Sequence, residues 1–493
     1  MSDAELSYRS ATELVAAMAE GQVSAVELTE AAIARIEKHD PAINAVCVRD
    51  FDRALDAARE ADAARARGEQ RPLLGVPMTV KESFNVAGLP TTWGFPAFKD
   101  TVPAADALAV ERVKAAGAVV LGKTNVPLGL GDLQSFNDVY GVTRNPWDLE
   151  RTPGGSSGGS AAALAAGYGP LSLGSDIGGS LRNPAHFCGV YAHKPTVALV
   201  PARGHVPPHL PPLPGESDLA VIGPMARGAA DLGLLLDIMA EPDPLTLGGA
   251  YRLALPDARH HDLTDYRVLV LDSHPLIPSS TSVRAAISGF AEQLAGVGAH
   301  VTSESPLLPD LEKASGLYLR LLMSVLGASF PPESYERARK EAEKLSADDH
   351  SLEADLSRGV ALSHRDWLFA DTERRALRES WRALFAEFDV VLYPVTPTPA
   401  FPHDHGDSNA RTLTIDGTEH NYFNQLALAG VATLPGLPAT VLPLGLSPEG
   451  LPIGVQAIGP MYGDRTTIRF AELAERHFGG FTPPPLVSGK AVA

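Results

Sequence analysis

Two glycine-flanked serine sites lie close together in the middle of the chain. Residues 154–160 read GGSSGGS, and residues 174–180 read GSDIGGS. Glycines this dense lose much conformational freedom on folding, and they suit places where backbone must approach another group closely. The second site offers successive backbone N–H groups that could meet at one acceptor, as an oxyanion hole requires: Ile177, Gly178, Gly179 and Ser180. A serine that ends such a loop is a candidate nucleophile.

Other known motifs explain this stretch less well. Residues 154–158 match G-x-S-x-G, the nucleophile elbow of α/β-hydrolases, which needs a strand before it and an acid and a histidine after it. His364 and His405 are candidates for that histidine, but neither stands in a telling context. The S-x-x-K and K-T-G pair of penicillin-binding proteins is absent from the sequence, and the glycine patterns of phosphate-binding loops are absent from this stretch.

A lysine precedes both serine sites. Lys81 stands in the segment VKESF at residues 80–84, and Ser156 and Ser180 are 24 positions apart. This arrangement resembles the amidase signature family, in which a lysine, a serine in a cis peptide and a nucleophilic serine form the triad with the same serine spacing. The resemblance covers most of the chain and includes NPWD at 145–148, RNPA at 182–185, GV at 189–190, KPT at 194–196 and LPIGVQ at 451–456.

The resemblance implies a role for each member of the triad. Ser180 attacks the carbonyl carbon, Ser156 relays the proton, and neutral Lys81 is the final base. The peptide between Gly155 and Ser156 is then expected to be cis. Lysine has an ordinary pKa of about 10.4, so Lys81 must be buried to act as a base near neutral pH. The implied reaction is cofactor-free and metal-free hydrolysis through an acyl-enzyme.

Further residues are assigned supporting or binding roles. We expect Asp176 and Arg182 to form an ion pair or hydrogen-bond clamp on the nucleophile loop, with Ser157 and Thr152 supporting the network. The residues expected to bind substrate are Gln134, Phe136 and Gly155. The segments expected to shape the acyl pocket are 128–139, 201–217 and 311–370, with Leu210, Leu213 and Tyr318 among the lining residues. Residues 424–430 are expected either to border the pocket or to pack in the core.

The substrate class predicted from these apolar segments is a neutral aryl or alkyl amide, with carbamate or ester cleavage as a side activity. A carbamate-cleaving urethanase is one alternative. Another is the subunit of a tRNA-dependent glutamine amidotransferase that releases ammonia from glutamine, although residues 131–137 (GDLQSFN) depart from the Met-Gly-Ser-Ser type of segment usual there. A catalytically inactive binding protein on the same fold is disfavoured because all three triad positions are intact.

Helix and strand signals alternate along the chain and indicate how these residues are positioned. Capping boxes at Ser10 and Ser24 begin two helices, and a third helix is expected over 51–67. Apolar runs at 74–81, 118–121, 268–271 and 390–394 predict buried strands, as do 434–443 and 450–456 near the end, whereas 104–117, 283–297 and most of 311–390 predict helices. The proline-rich segment 198–217 predicts a surface loop.

The predicted fold class is α/β, a single large domain with a mixed, twisted central sheet covered by helices on both faces. Residues 1–70 are expected to form N-terminal helices packed on the core, and residues 71–493 the amidase signature domain itself.

Composition fits a globular enzyme and restricts its partners. The chain has 493 residues, 45% of them hydrophobic and 20% charged, and a net charge of −18. The sequence has no stripe of basic residues, so it does not predict a nucleic-acid partner. Cys47 and Cys188 are too few for a disulfide framework, and no Cys/His cluster predicts a metal site. No signal peptide and no apolar run of membrane-spanning length is found, so a cytoplasmic location is expected, with a homodimer left open.

Overall fold

Strands and helices alternate along most of the chain in the computed structural model, which describes residues 6–346, 348–408 and 410–488. The strands are β1 (Val46–Arg49), β2 (Pro77–Lys81), β3 (Val119–Thr124), β4 (Phe136–Asn137), β5 (Gly141–Val142), β6 (Leu171–Asp176), β7 (Tyr191–Lys194), β8 (Val221–Ala226), β9 (Arg267–Val270), β10 (His300–Thr302), β11 (Val390–Pro394), β12 (Thr412–Ile415), β13 (Thr418–Asn421), β14 (Ala439–Leu446) and β15 (Pro452–Ile458). The helices are α1 (Ala11–Ala19), α2 (Ala25–Ile43), α3 (Phe51–Ala66), α4 (Leu108–Ala115), α5 (Gly158–Ala165), α6 (Arg182–Cys188), α7 (Ala229–Met239), α8 (Thr281–Gly296), α9 (Leu311–Gly327), α10 (Pro332–Ala342), α11 (Leu352–Val360), α12 (His364–Glu387), α13 (Leu426–Thr433), α14 (Asp464–Phe478) and α15 (Pro485–Ser488).

Eleven strands form one sheet in the order β1-β3-β2-β6-β8-β7-β14-β15-β11-β9-β10. The pairs β3–β2, β2–β6, β11–β9 and β9–β10 are parallel and the remaining pairs are antiparallel. Every residue of β2, β3, β6, β7, β8, β11 and β15 is buried. Because successive side chains of a strand point to opposite faces, both faces of these strands are covered. The predicted α/β domain with a mixed sheet is therefore confirmed.

The N-terminal helices pack on the same core as the sheet. Both predicted capping boxes are present, at Ser10 with Glu13 and at Ser24 with Glu27, and they begin α1 and α2. Leu14 from α1 belongs to the same cluster of buried apolar side chains as Val80 from β2. The predicted helix over 51–67 corresponds to α3.

Two predicted boundaries are wrong, one because of long-range contacts and the other because the preceding helix extends into the predicted strand. Helix α4 begins at Leu108 rather than at residue 104, because the N–H groups of Ala107 and Leu108 donate to the carbonyls of Asn85 and Arg203. Strand β14 begins at residue 439 rather than 434. The N–H of Leu434 still bonds back to the last turn of α13, and the chain then turns before it enters the sheet.

The remaining predictions of secondary structure agree with the molecule. Residues 198–217 contain neither helix nor strand, and residues 311–390 are mostly helical, from α9 to α12. The strands predicted near residues 268 and 390 are β9 and β11.

The sheet brings three parts of the chain to one edge. Strands β2 and β6 are parallel neighbours, with Val80 paired to Leu173, so their carboxyl ends lie side by side. Lys81 ends β2, and Asp176 ends β6. Helix α5, which follows the first serine site directly, packs against both strands. This edge therefore collects the lysine and both serine sites.

The centre of this sheet should be sensitive to truncation. Leu173 of β6 is fully buried between the helical layers, so Leu173→Ala should lower the free energy of unfolding by about 2–5 kcal/mol. Leu446→Ala is the matched control, because Leu446 lies on β14 of the same sheet but is 51% exposed, and a change within about 0.5 kcal/mol is expected there. Urea unfolding followed by circular dichroism measures both. Equal losses would contradict the placement of the core.

Candidate active site

The amine of Lys81 lies among three serine hydroxyls. Its Nζ is 2.7 Å from Ser156 Oγ, 3.0 Å from Ser157 Oγ and 2.8 Å from Ser175 Oγ. The side chain is fully buried. Burial disfavours the ammonium form and holds the pKa of Lys81 well below its ordinary value, although the negative charge of Asp176 opposes this shift. The arrangement is that of a neutral amine that can take a proton from a neighbouring hydroxyl.

Ser175 is a contact of the lysine that was not predicted from the sequence. It lies in β6 next to Asp176, so its hydroxyl and that of Ser157 approach Nζ from different parts of the chain. Ser157 Oγ also donates to the carbonyl of Ser175 at 3.3 Å. The signal for it in the sequence is its place beside Asp176 in the glycine-flanked segment 174–180.

The peptide between Gly155 and Ser156 is cis, as expected from the sequence. Asn183, at the start of α6, holds the Gly155 side of this peptide. Its Oδ1 accepts from the N–H of Gly155 at 3.0 Å, and its Nδ2 donates to the carbonyl of Gly155 at 2.5 Å and to that of Gly179 at 3.1 Å. One amide side chain therefore ties the Ser156 loop to the Ser180 loop.

The nucleophile loop is fixed by a buried ion pair. Arg182 Nη2 and Nε donate to the two carboxylate oxygens of Asp176 at 2.9 and 3.0 Å. Burial alone would raise the pKa of Asp176, but Arg182 holds that pKa below its ordinary value. Arg182 also donates to the carbonyl of Ala429, to Gln456 Oε1 and to Thr433 Oγ1. The pair is thus the clamp expected from the sequence.

The N–H groups of the loop divide into two sets. Those of Gly179 and Leu181 donate to Asp176 at 2.9 and 3.1 Å, so in this structure the N–H of Gly179 is bound to Asp176, and its expected place in the oxyanion hole stays a prediction. Within the described ranges, the N–H groups of Ile177, Gly178 and Ser180 donate to no protein acceptor. Ser180 is 6% exposed, and its carbonyl accepts from the N–H of Ser157 at 3.2 Å.

Two further predicted supports are in place. Thr152 is fully buried, and its Oγ1 accepts from the N–H of Gly154 at 3.0 Å while its own N–H donates to the carbonyl of Phe401. Ser157 contacts the lysine, as described above. Both stabilise the turn that leads into Ser156.

Comparison with known proteins agrees with this geometry. The Amidase family model matches residues 27–468. The chain belongs to the amidase signature family. It is 34% identical over 482 residues to a glutamyl-tRNA(Gln) amidotransferase subunit from Roseiflexus castenholzii, an alignment that covers 93% of this chain and 94% of that protein. It is 33% identical over 501 residues to fatty-acid amide hydrolase 2-A of Danio rerio, with coverage of 96% and 90%.

Solved structures give the same result. The structure of a vestigial protein complex that bears on the origins of an s-triazine catabolic enzyme is 31% identical in sequence and superimposes with a TM-score of 0.79. That alignment covers 95% of this chain and 98% of the other. This amidase is therefore an enzyme that acts on amide C–N bonds. In the part of the chain that the structure describes, no helix is long and apolar enough to cross a membrane.

The predicted substrate-binding residues of this amidase are partly occupied by other contacts. Gln134 is fully buried, and its amide exchanges two hydrogen bonds with the backbone of Asp404, at 2.7 and 3.0 Å. Phe136 packs against His405 with ring centroids 4.2 Å apart. Gly155 lies against the backbone of Asp132 and Gln134. Gln134 and Phe136 join the stretch before the Ser156 loop to Asp404 and His405.

An apolar surface borders the nucleophile loop on its other side. Leu426 of α13 approaches Gly178, and Ala429 approaches Gly179. Ile177 and Leu426 pack in one cluster with Tyr318 of α9. The hydroxyl of Tyr318 donates to the carbonyl of Ile177 at 2.7 Å, so this residue contacts the loop backbone. Leu210 and Leu213, by contrast, are 48% and 64% exposed.

The α/β-hydrolase alternative does not fit. The segment just before Gly154 is irregular apart from isolated β-bridges, such as that between Arg151 and Pro402, so the described residues do not form the strand that a nucleophile elbow requires. His405 instead packs on Phe136, and His364 stacks on Trp367.

Three other reactive side chains near the site are engaged elsewhere. Burial raises the pKa of the Cys188 thiol and lowers that of His186 to about 4. His186 lies between the carbonyls of Gly454 and Thr398. His193 is paired with Asp464 at 3.0 Å. These three residues therefore pack in the core.

Gly155 should not tolerate a side chain. A Cβ at this position would lie 2.6 Å from the carbonyl oxygen of Asp132 and 2.8 Å from the N–H nitrogen of Gln134, both fixed backbone atoms. Gly155→Ala should therefore shift the Ser156 loop and lower kcat/KM by about 10²-fold, the effect of displacing reacting groups by about 1 Å.

The control for this change is Gly289→Ala. Gly289 lies in α8 with open space at its Cβ position, so this variant should keep full activity and gain about 0.5–1 kcal/mol of stability. Steady-state kinetics measures the activity of the two variants, and thermal unfolding measures their stability. Full activity in Gly155→Ala would show that the loop is not held as tightly as its contacts indicate.

Proposed function

We propose that this amidase hydrolyses a neutral aryl or alkyl amide through an acyl-enzyme on Ser180. The observation that carries the proposal is the fully buried Lys81 amine, 2.7 Å from Ser156 Oγ and with a lowered pKa. Ser156 would relay protons between Lys81 and Ser180. The N–H groups of Ile177, Gly178 and Ser180 are the proposed oxyanion hole, because they lack protein acceptors in the described chain.

The proposed reaction has two halves. Ser180 Oγ bonds to the carbonyl carbon while its proton passes to Ser156 and the proton of Ser156 passes to Lys81 Nζ. The C–N bond then breaks, and the leaving nitrogen takes a proton from Ser156, which Lys81 replenishes. Water attacks the resulting ester by the same relay and releases the acid, leaving Ser180 and the amine of Lys81 as they began.

The chemistry of the surrounding side chains favours an uncharged substrate. Ile177 and Leu426 are partly buried apolar side chains beside the loop, and they pack on the buried ring of Tyr318. Arg182 is neutralised by Asp176, and Arg411 is paired with Asp132. A substrate carboxylate would have to compete with these buried carboxylates, whereas an aryl or alkyl group would remove apolar surface from water. Carbamate and ester cleavage follow from the same acyl transfer and belong to the proposal as side activities.

A second candidate is the glutamine-hydrolysing subunit of a tRNA-dependent amidotransferase. The 34% identity to an amidotransferase subunit from Roseiflexus castenholzii favours it. That function would require glutaminase activity and partner proteins. Free glutamine carries a carboxylate that needs a cationic partner in the site. Arg182 and Arg411 are already paired with protein carboxylates, which disfavours this function. The cytoplasmic location and the homodimer stay predictions from the sequence.

A labelling experiment tests the nucleophile. An alkyl fluorophosphonate should add one phosphonyl group to the protein, and peptide mapping should place it on Ser180. Ser180→Ala should lose the adduct and reduce kcat to the background rate, because no other hydroxyl replaces the nucleophile. Ser380→Ala is the control, because Ser380 is an exposed serine on α12. This substitution should leave the adduct on Ser180 and kcat unchanged. An adduct that persists in Ser180→Ala would overturn the assignment.

A substrate panel then separates the two functions. It contains 4-nitroanilides with short and long acyl chains, an alkyl amide, an ethyl carbamate and L-glutamine. Turnover of the anilides without glutaminase activity would support the amidase. Turnover of L-glutamine alone would support the amidotransferase function.

The pH dependence should report Lys81. Because the amine must be neutral to accept a proton, kcat/KM should fall as the pH decreases through the pKa of Lys81 in the free enzyme. Burial lowers this pKa, so the inflection should lie well below the ordinary lysine value of about 10.4. Circular dichroism at each pH checks that the fold persists. A profile that is flat toward acid pH would contradict a lysine base.

A further inference from the structure

Tyr318 joins helix α9 to the nucleophile loop. Its side chain is fully buried, and its hydroxyl donates to the carbonyl of Ile177 at 2.7 Å. The ring lies in a notch on α13, where a Cβ at Gly430 would be 2.5 Å from the ring atom Cδ1. This notch leaves the ring little freedom, so the direction of the hydroxyl is set by packing from two helices.

The carbonyl that Tyr318 holds belongs to the same peptide unit as the N–H of Gly178. The cis peptide of the described chain is elsewhere, between Gly155 and Ser156, so this unit is trans. In a planar trans peptide the C=O and the following N–H point in opposite directions. Fixing the Ile177 carbonyl toward Tyr318 therefore fixes the Gly178 N–H on the other side of the peptide plane, where it donates to no protein acceptor in the described chain.

We propose that Tyr318 is a positioning residue for catalysis, which orients the Gly178 N–H toward the oxyanion by holding the Ile177 carbonyl. This inference rests on the proposed function, because it assigns Gly178 to the oxyanion hole. Tyr318 itself would not touch the reacting atoms. Without its hydroxyl, the Ile177–Gly178 peptide could rotate and the N–H could leave its position, because glycine offers little steric resistance.

The surroundings support a fixed donor. Burial raises the pKa of Tyr318, so its hydroxyl is protonated and able to donate near neutral pH. Leu426 approaches Gly178 from α13, and Arg182 donates to the carbonyl of Ala429 on the same helix. Helix α13 thereby contacts the nucleophile loop at Gly178 and at Arg182, and Tyr318 of α9 adds a contact at Ile177, near the start of the loop.

The test variant is Tyr318→Phe, which removes the hydroxyl and keeps the ring in its notch. We expect kcat for the best anilide of the substrate panel to fall about tenfold, less than the roughly 10²–10³ that loss of a whole oxyanion donor costs. KM should change less than about twofold, because the donor acts on the transition state rather than on the bound amide.

Two probes that do not depend on the natural substrate accompany this measurement. An alkyl trifluoromethyl ketone forms a tetrahedral adduct with a charged oxygen, so its affinity should fall in parallel with kcat. The rate of Ser180 labelling by the alkyl fluorophosphonate should fall as well.

Tyr393→Phe is the matched control. Tyr393 is also fully buried, but its hydroxyl has no hydrogen-bond partner in the described chain, so its loss should leave kcat and ketone affinity unchanged. Gly430→Ala disturbs the same contact of Tyr318 without changing Tyr318 itself, because the added methyl group must displace the Tyr318 ring. It should reproduce the loss of kcat, and the double variant should lose little more than either single one, since both act through one contact.

The outcomes separate the two hypotheses. If the wild-type enzyme neither turns over the panel nor reacts at Ser180, the proposed function fails. If the wild-type enzyme is active and Tyr318→Phe keeps its kcat and ketone affinity, the role of Tyr318 is overturned while the proposed function stands. A rise in KM with unchanged kcat would also overturn it, because that result assigns Tyr318 to ground-state binding of the substrate.

Discussion

The burial of one lysine amine is the constraint on which the rest of this structure depends. An ammonium group without water is strongly disfavoured, so Lys81 can remain fully buried only if its amine is neutral or well hydrogen-bonded. Three hydroxyls meet that need, and they come from the Ser156 loop and from the end of β6. The adjacent parallel strands β2 and β6 bring these segments to one edge of the sheet, and α5 packs against both strands.

The negative charge beside this amine is held in an ion pair. A lone carboxylate at Asp176 would stabilise the ammonium form of Lys81 and weaken it as a base. Its pairing with Arg182 reduces that field and also fixes the loop that carries Ser180. Because Asp176 accepts from the N–H groups of Gly179 and Leu181, the remaining N–H groups of the loop stay available for a substrate oxygen. The same pair thus shapes both the base and the anion site.

The sequence predicted the parts of the site that are local and missed those that need the fold. Capping boxes, apolar runs and glycine-rich segments are short-range patterns, and they indicated helices, strands and the two serine loops. The triad roles of Lys81, Ser156 and Ser180 came from the resemblance to the amidase signature family, and their meeting at one edge of the sheet is seen only in the fold. Asn183 and Ser175 were missed because their hydrogen bonds reach distant parts of the chain. The start of α4 was wrong for the same reason, since carbonyls far along the chain take the N–H groups of its predicted first turn.

The division between chemistry and selectivity also follows from the way the site is built. The proposed oxyanion donors are backbone groups, whose position depends on the peptides around them and not on their own side chains. The apolar surface beside them comes from α9 and α13, which contact the loop from outside the sheet. Tyr318 is linked to both, because its buried ring supports Ile177 and Leu426 from beneath and its hydroxyl holds the loop. On the proposed function, a substitution of Tyr318 that displaces its hydroxyl would move the Gly178 N–H and also repack Ile177 and Leu426, so turnover and selectivity are coupled at this residue.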